Sequence, residues 1–284
     1  MVAVCDFLMP QTDRKHKITV ERFDLPSKRN MIGVKGEVWR PPLFVKPGGV
    51  FSRAKAGARR FLDLQAGSIW RDLKKVLPQT RGTVLDVGCG AQPYRSLIPA
   101  ATTYIGIDTV DANVHFGYNL PDTRYFHGDV WPVEDGSVDF VLCTETLEHV
   151  PEPAVLLSQA FRCLAPGGTL LLTVPFSARW HFIPYDYWRF TPSGLDQLLT
   201  QAGFINRRVY ARGNAGTVAC YKAMALLLRM ALPQNRSLKS LLVRLVSVPL
   251  APLLLGLAIT GNVSMRGRGG DDCLGYTALA DRPG

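Results

Sequence analysis

Between about residue 80 and residue 205 the chain alternates short apolar runs with longer amphipathic stretches. Val84, Leu85 and Val87 make a run with no polar alternation, as expected of a parallel strand buried on both faces. Further segments that read as strands occur at 103–108, 124–130, 138–143 and 169–175. Strands alternating with helices predict a parallel sheet covered on both sides. The last helix of the series begins at Thr191-Pro192-Ser193, with Thr as cap and Pro in the first turn, and stops at Gly203. Residues 206–212 and 275–280 read as two final strands.

The flanking regions are less regular. Residues 1–47 form a polar, Pro-containing extension with no predicted element. Residues 51–77 read as one basic helix over the edge of the sheet, with Leu62, Ile69, Leu73 and Val76 as its apolar stripe. Between the last two strands lies an insertion, 214–270, with helical patterns at 218–232 and 236–248. A nearly apolar run follows at 250–259, interrupted by Pro252 and Gly256 and shorter than the roughly 20 residues a spanning helix needs. The expected organisation is therefore an extension (1–47), an α/β domain (48–213), the insertion (214–270), and a closing strand with the C-terminus (271–284).

Charge sharpens the picture of the insertion. The net charge is +10, and residues 197–270 contain no Asp or Glu but ten Lys and Arg. An apolar face beside a cationic one predicts a segment that lies in the interface of an anionic membrane. A helical cap or a dimer contact would also use such a surface. Nucleic acid is the weaker reading, because leucines rather than stacking aromatics dominate. The six cysteines show no CxxC pair, so reduced, buried thiols in a cytoplasmic protein are expected, and a zinc site is not. The N-terminus reaches Asp6 too early for a signal peptide.

Chemistry concentrates where the strands end. The first strand runs through Asp86 into Gly88-Cys89-Gly90, a turn that lets backbone approach a ligand. Asp108 closes the second strand about twenty residues on, the spacing at which such folds hold a ribose diol. Asp129-Val130 ends the third, and Thr144 begins the stretch after the fourth. In this order the motifs resemble those of class I S-adenosylmethionine-dependent methyltransferases. That resemblance implies a Rossmann-like, doubly wound sheet of seven strands with helices on both faces, and S-adenosylmethionine as cofactor. It places Asp86, Gly88, Cys89 and Gly90 near the methionine moiety, Asp108 on the ribose, Asp129 and Val130 on the adenine, and Thr144 in the same site. The chain departs from the family where a third glycine is common, reading Ala91-Gln92-Pro93-Tyr94.

Two constellations could serve a methyl acceptor. Glu145, Glu148 and His149 have spacings that would put them on one face of a helical turn, where they could hold Mg²⁺ or Mn²⁺. The stretch 143–151 resembles ubiquinone-biosynthesis O-methyltransferases, and the Glu-x-x-Glu-His pattern is similar to that of small-RNA terminal methyltransferases; both resemblances imply a metal that orients the acceptor hydroxyl. The same side chains could instead hydrogen-bond locally with no metal. The second constellation is His181, Asp186 and Arg189 within an aromatic-rich segment. His181 could take a proton near neutral pH, and Arg189 could pair with Asp186 or hold an anion; a structural lid would use the same residues. The segment resembles one in a subgroup of bacterial methyltransferases, some associated with cell-surface glycan or lipid pathways.

The expected function is O-directed methyl transfer to a membrane-associated acceptor, a lipid-linked glycan or a quinone-type ring, by a protein docked on the inner membrane face. Two alternatives remain at this level: a metal-assisted methyltransferase of RNA ends or small molecules, and a non-catalytic scaffold with the same fold.

Overall fold

The computed structural model describes residues 49–111, 120, 122–181, 185–231, 248–267 and 269–284. The 1–47 extension and nearly all of the 236–248 pattern lie outside these residues.

Seven strands form one sheet: β1 (Thr83–Val87), β2 (Thr103–Thr109), β3 (Thr123–Phe126), β4 (Val138–Thr144), β5 (Leu164–Pro175), β6 (Ile205–Arg212) and β7 (Gly275–Asp281), in the order β3-β2-β1-β4-β5-β7-β6. The first five are parallel, and β7 runs antiparallel between β5 and β6. This is the expected Rossmann-like sheet. Its order reverses between β1 and β4, so a crevice opens there at the strands' carboxyl ends.

Alternate residues of the central strands feed two cores, which is why their sequences carry no polar alternation. Leu85, Val87, Val141 and Cys143 pack with Leu156 and Leu157 of α3 (Pro153–Cys163) and with Leu195 and Leu199 of α4 (Pro192–Gln201). Val84, Phe140, Leu142 and Leu171 pack on the other face against Ile69 and Leu73.

The basic stretch at 51–77 is two helices rather than one, α1 (Val50–Leu62) and α2 (Leu64–Val76). Asp63 divides them: its backbone is extended and its side chain accepts a bond from the Ala66 N–H, capping α2. α2 covers the face of the central strands, not the sheet edge, and Leu62 is exposed rather than part of the buried stripe. Strand β5 begins at Leu164, ahead of the run at 169–175, with a register shift between Val138 and Phe140 on β4.

Between β6 and β7 lie α5 (Ala215–Ala231) and α6 (Ala251–Ser264). Asn214 starts α5 by accepting the Thr217 N–H. Pro252 does not interrupt α6; it sits in the first turn, where its missing N–H is no loss. Leu64, Val218, Cys220, Met224, Ala258 and Leu274 form a third core that joins these helices to α2. No helix among the described residues is long and apolar enough to cross a membrane.

Candidate active site

The strand ends bring the predicted residues to one side of the sheet. After β1 the backbone turns at Gly88 and Gly90, with φ of 63° and 50°. A Cβ on Gly88 would lie 2.4 Å from Thr146 Oγ1, so both conformation and contact require glycine. The N–H groups of Gly88 and Cys89 donate to Ile107 O, and the Gly90 N–H donates to Asp108 Oδ2 at 2.9 Å. Asp108 also accepts from its neighbour Thr109 at 2.8 Å. Burial raises the Asp108 carboxyl to about 6, with these two bonds opposing the rise.

Asp86 is fully buried. Tyr104 donates its hydroxyl to Oδ2 at 2.7 Å, and Oδ1 has no hydrogen-bond partner among the described residues. Burial raises Asp86 to about 7, with the Tyr104 bond opposing the rise and the charge of Asp108 adding to it. A buried carboxylate with an open oxygen suits a ligand carrying positive charge or N–H groups. Tyr104 escaped sequence analysis. The signal was available: Asp86 pairs with Gly106, so Tyr104, two residues earlier, shares its face.

In place of the third glycine, Gln92 is buried with φ of 53°. Its amide donates to Thr123 Oγ1 at 3.0 Å and accepts from Arg95 at 2.8 Å, two bonds that hold the strained backbone. Cys89 is buried, with Sγ 3.5 Å from Thr123 Oγ1, its N–H bonded to Ile107 O and its carbonyl accepting the Gln92 N–H. Asp129 and Val130 lie exposed just beyond β3, and Thr144 is half-buried at the end of β4.

Beyond β4 the predicted helical face does not form. Glu145 has φ of 48°, and only a three-residue 3-10 turn, Leu147–His149, follows. Glu145 turns to Arg212, a fully buried guanidinium, at 2.9 Å. The group that does converge is Glu148, His149 and His181, whose possible ligand atoms all lie within 4.8 Å of one another. The Glu148 side chain is fully buried; His149 Nε2 lies 3.6 Å from Oε1, and neither carboxylate oxygen has a hydrogen-bond partner among the described residues. Burial, with the charge of Glu145 next, pushes its carboxyl well above the ordinary range. Burial also lowers His149 to about 4, although its Nδ1 lies 2.9 Å from Tyr185 O. Burial keeps His149 in the neutral form that ligates a metal, whereas Glu148 would have to give up its proton for its oxygens to hold a divalent cation. Two imidazoles and one carboxylate suit Mn²⁺ or Zn²⁺ better than Mg²⁺.

The second constellation does assemble. Arg189 binds Asp186 through two nitrogens at 2.6 and 2.7 Å, and Asp186 Oδ2 lies 3.1 Å from His181 Nδ1 and 3.0 Å from the His181 N–H. Burial works against the Asp186 anion, but the bonds from Arg189 and His181 outweigh it and hold the carboxyl below the usual range. Burial likewise would lower His181, and the hydrogen bond and charge of Asp186 turn the net shift upward. The rings of His181 and His149 meet edge to face with centroids 5.0 Å apart. Backbone bonds from Tyr187 and Trp188 to Glu148 O, and from Trp188 Nε1 to Val150 O, pin the aromatic segment over the turn after β4. Tyr185, Tyr187 and Trp188 remain partly open to solvent.

Residues 59–209 match the family described as "Methyltransferase domain". A ubiquinone biosynthesis O-methyltransferase of Psychrobacter arcticus is 34% identical over 44% of this chain and 60% of its own length. A probable S-adenosylmethionine-dependent methyltransferase of Mycolicibacterium smegmatis is 32% identical over 43% of this chain and 51% of its own. The chain thus spans about 60% or less of these relatives' length. Among solved structures, an Archaeoglobus fulgidus SAM-dependent methyltransferase is similar with a TM-score of 0.48 and 16% identity, over 82% of this chain and 100% of that one. Phosphoethanolamine N-methyltransferase 2 of Haemonchus contortus, in complex with S-adenosyl-L-methionine, gives 0.46 and 19% over 85% and 54%.

Proposed function

The chain belongs to the methyltransferase-domain family, and from that premise we propose that it methylates an oxygen of a membrane-associated acceptor, using S-adenosylmethionine. One observation carries the reading: the glycine turn with its two buried acids and the acid-oriented imidazole of His181 lie at the same end of the sheet. Bound S-adenosylmethionine would supply an electrophilic methyl carbon on a sulfonium. The backbone of Gly88–Gly90 and the carboxylates of Asp86 and Asp108 would hold it, with Asp129, Val130 and Thr144 completing the pocket. Asp186 keeps the His181 proton on Nδ1, which makes Nε2 the basic nitrogen for the acceptor hydroxyl's proton. Arg189 keeps Asp186 ionised and in place. Tyr185, Tyr187 and Trp188 offer an aromatic surface beside this base for a ring or sugar face.

The membrane part of the reading rests on α5 and α6. α6 is apolar on nearly every side, yet only Ala258 and Gly261 are buried, and Leu253, Leu255, Ile259 and Val263 stand half exposed. Leu226 and Leu228 of α5 are exposed as well. Apolar helices left open on an acid-free, basic stretch suit the surface of an anionic bilayer. Relatives named for ubiquinone biosynthesis support a quinone-type ring; a lipid-linked glycan is the other acceptor of this kind.

The open oxygens of Glu148 favour a second reading of the same pocket, in which Glu148, His149 and His181 would hold Mn²⁺ or Zn²⁺, which would supply Lewis acidity toward the acceptor hydroxyl in place of the base His181. Both readings meet one test: incubate the protein with radiolabelled S-adenosylmethionine and a cell extract, then count membrane-lipid, soluble and RNA fractions with and without a chelator. Label in lipid supports the proposal, and its loss with chelator favours the metal. Label confined to RNA or soluble compounds contradicts the membrane acceptor.

A further inference from the structure

Helix α1 stands in the molecule with its apolar stripe facing out. None of its thirteen residues is buried. Phe51, Ala54, Ala58 and Leu62 recur at offsets of three and four, so they share one face, and all four are exposed. Phe51 and the adjacent Val50 are each 85% exposed. The half-buried side consists of Ser52, Ala56, Gly57, Arg60 and Phe61, and Phe61 packs against the third core. Arg60 is held there by Trp70, its guanidinium 4.0 Å from the ring centroid, and Gly67 lets α2 approach the Arg60 carbonyl. Asn262 of α6 binds Phe61 O at 2.9 Å. α1 is therefore anchored by Phe61 and by small and polar contacts, while Val50, Phe51 and Leu62 are left on the outside.

Charge selects the occupant. Lys55 and Arg59 lie at the margin of the stripe and are exposed, and α1 contains no acid. A flat apolar stripe edged with cations matches the boundary between headgroups and acyl chains of an anionic bilayer. The bond from Asn262 also sets α1 directly beside α6, the helix whose own outer side chains are open. We infer that α1 docks on the anionic bilayer, inserting Phe51 and Leu62 below the headgroups while Lys55 and Arg59 bind lipid phosphates. This deepens the membrane reading proposed above and rests on it.

Flotation of the full-length protein with phosphatidylcholine vesicles, with and without phosphatidylglycerol, tests both levels. The wild type should float with the anionic vesicles and much less with neutral ones. Phe51→Ser combined with Leu62→Ser should weaken that binding roughly tenfold or more. Lys55→Glu combined with Arg59→Glu should weaken it on anionic vesicles and lessen its salt dependence. Both variants change exposed side chains, and unchanged S-adenosylhomocysteine binding will show that each is folded. A wild type that fails to float defeats the membrane reading itself. A wild type that floats while both α1 variants float equally well leaves that reading standing and overturns the α1 inference. So does an oligomer that the Phe51 and Leu62 changes dissociate without loss of vesicle binding, since a second copy of the chain would then be what covers α1.

Discussion

Asp186 holds His181 at two points, 3.1 Å from its Nδ1 and 3.0 Å from its backbone N–H, while Arg189 grips the same carboxylate from the other side. Nδ1 also lies 3.0 Å from Arg179 O, and these contacts together fix the ring in orientation and tautomer. Asp186→Asn retains the size of the side chain but removes the anion. The expected result is a fall in kcat of about a hundredfold with little change in the KM for S-adenosylmethionine. An equal loss on both parameters in steady-state assays would make the trio a structural clasp.

Asp86 gives the cofactor-free protein a signed pH dependence. Its folded value is raised to about 7, so the folded state keeps a proton that the unfolded chain gives up at the ordinary carboxylate value. Its contribution to stability is therefore present in acid and is lost as pH rises between about 4 and 7. Asp108, raised to about 6, acts in the same direction. Melting curves of wild type and Asp86→Asn should converge at low pH relative to their separation at high pH, where the variant gains. A separation that does not change with pH would mean that Asp86 is already ionised in the folded protein.

Gly88 and Thr146 are in close contact across the top of β1 and β4. Gly88→Ala should lower stability by about 1–3 kcal/mol, combining an unfavourable positive φ with the clash, and weaken S-adenosylhomocysteine at least tenfold. Adding Thr146→Gly relieves the clash but not the φ, so the double variant should recover part of the loss. No recovery would show that conformation alone demands the glycine.

Glu145 was a plausible metal ligand by spacing, but its partner is Arg212. Removing one member of such a pair strands a buried charge and costs about 3 kcal/mol. Glu145→Ala should accordingly lower the urea midpoint; if the site takes Mn²⁺, as in the second reading, this change should leave that binding unaltered, whereas Glu148→Ala should abolish it. Loss of Mn²⁺ binding in a folded Glu145→Ala protein would restore Glu145 to the ligand set.

Much of the fold was legible because buried parallel strands leave a local trace: Val84, Leu85 and Val87 admit little but a strand covered on both sides. Boundaries set by one capping side chain were harder. Asp63 reads as one more polar residue in a long helix until its bond to Ala66 divides that helix. Pro252 reads as an interruption until it falls in a first turn. In the site, Asp86, Asp108 and the glycines carry spacing signals, and His181, Asp186 and Arg189 lie close enough in sequence to be read together. Glu145 was misplaced because the helical offset argument assumed a helix that its positive φ forbids. The meeting of His181 with Glu148 and His149 joins loops after two different strands, and only the folded sheet brings them together.

The central claim is that the carboxyl ends of β1 and β2 hold S-adenosylmethionine, and direct calorimetric titration of the cofactor and of S-adenosylhomocysteine tests it without any knowledge of the acceptor. Saturable one-to-one binding is expected, weakened at least tenfold by Asp108→Ala, since a charged hydrogen-bond partner is worth about 1.5–3 kcal/mol. A folded wild type that binds neither compound, or an Asp108→Ala variant that binds both as well as the wild type does, would contradict the account.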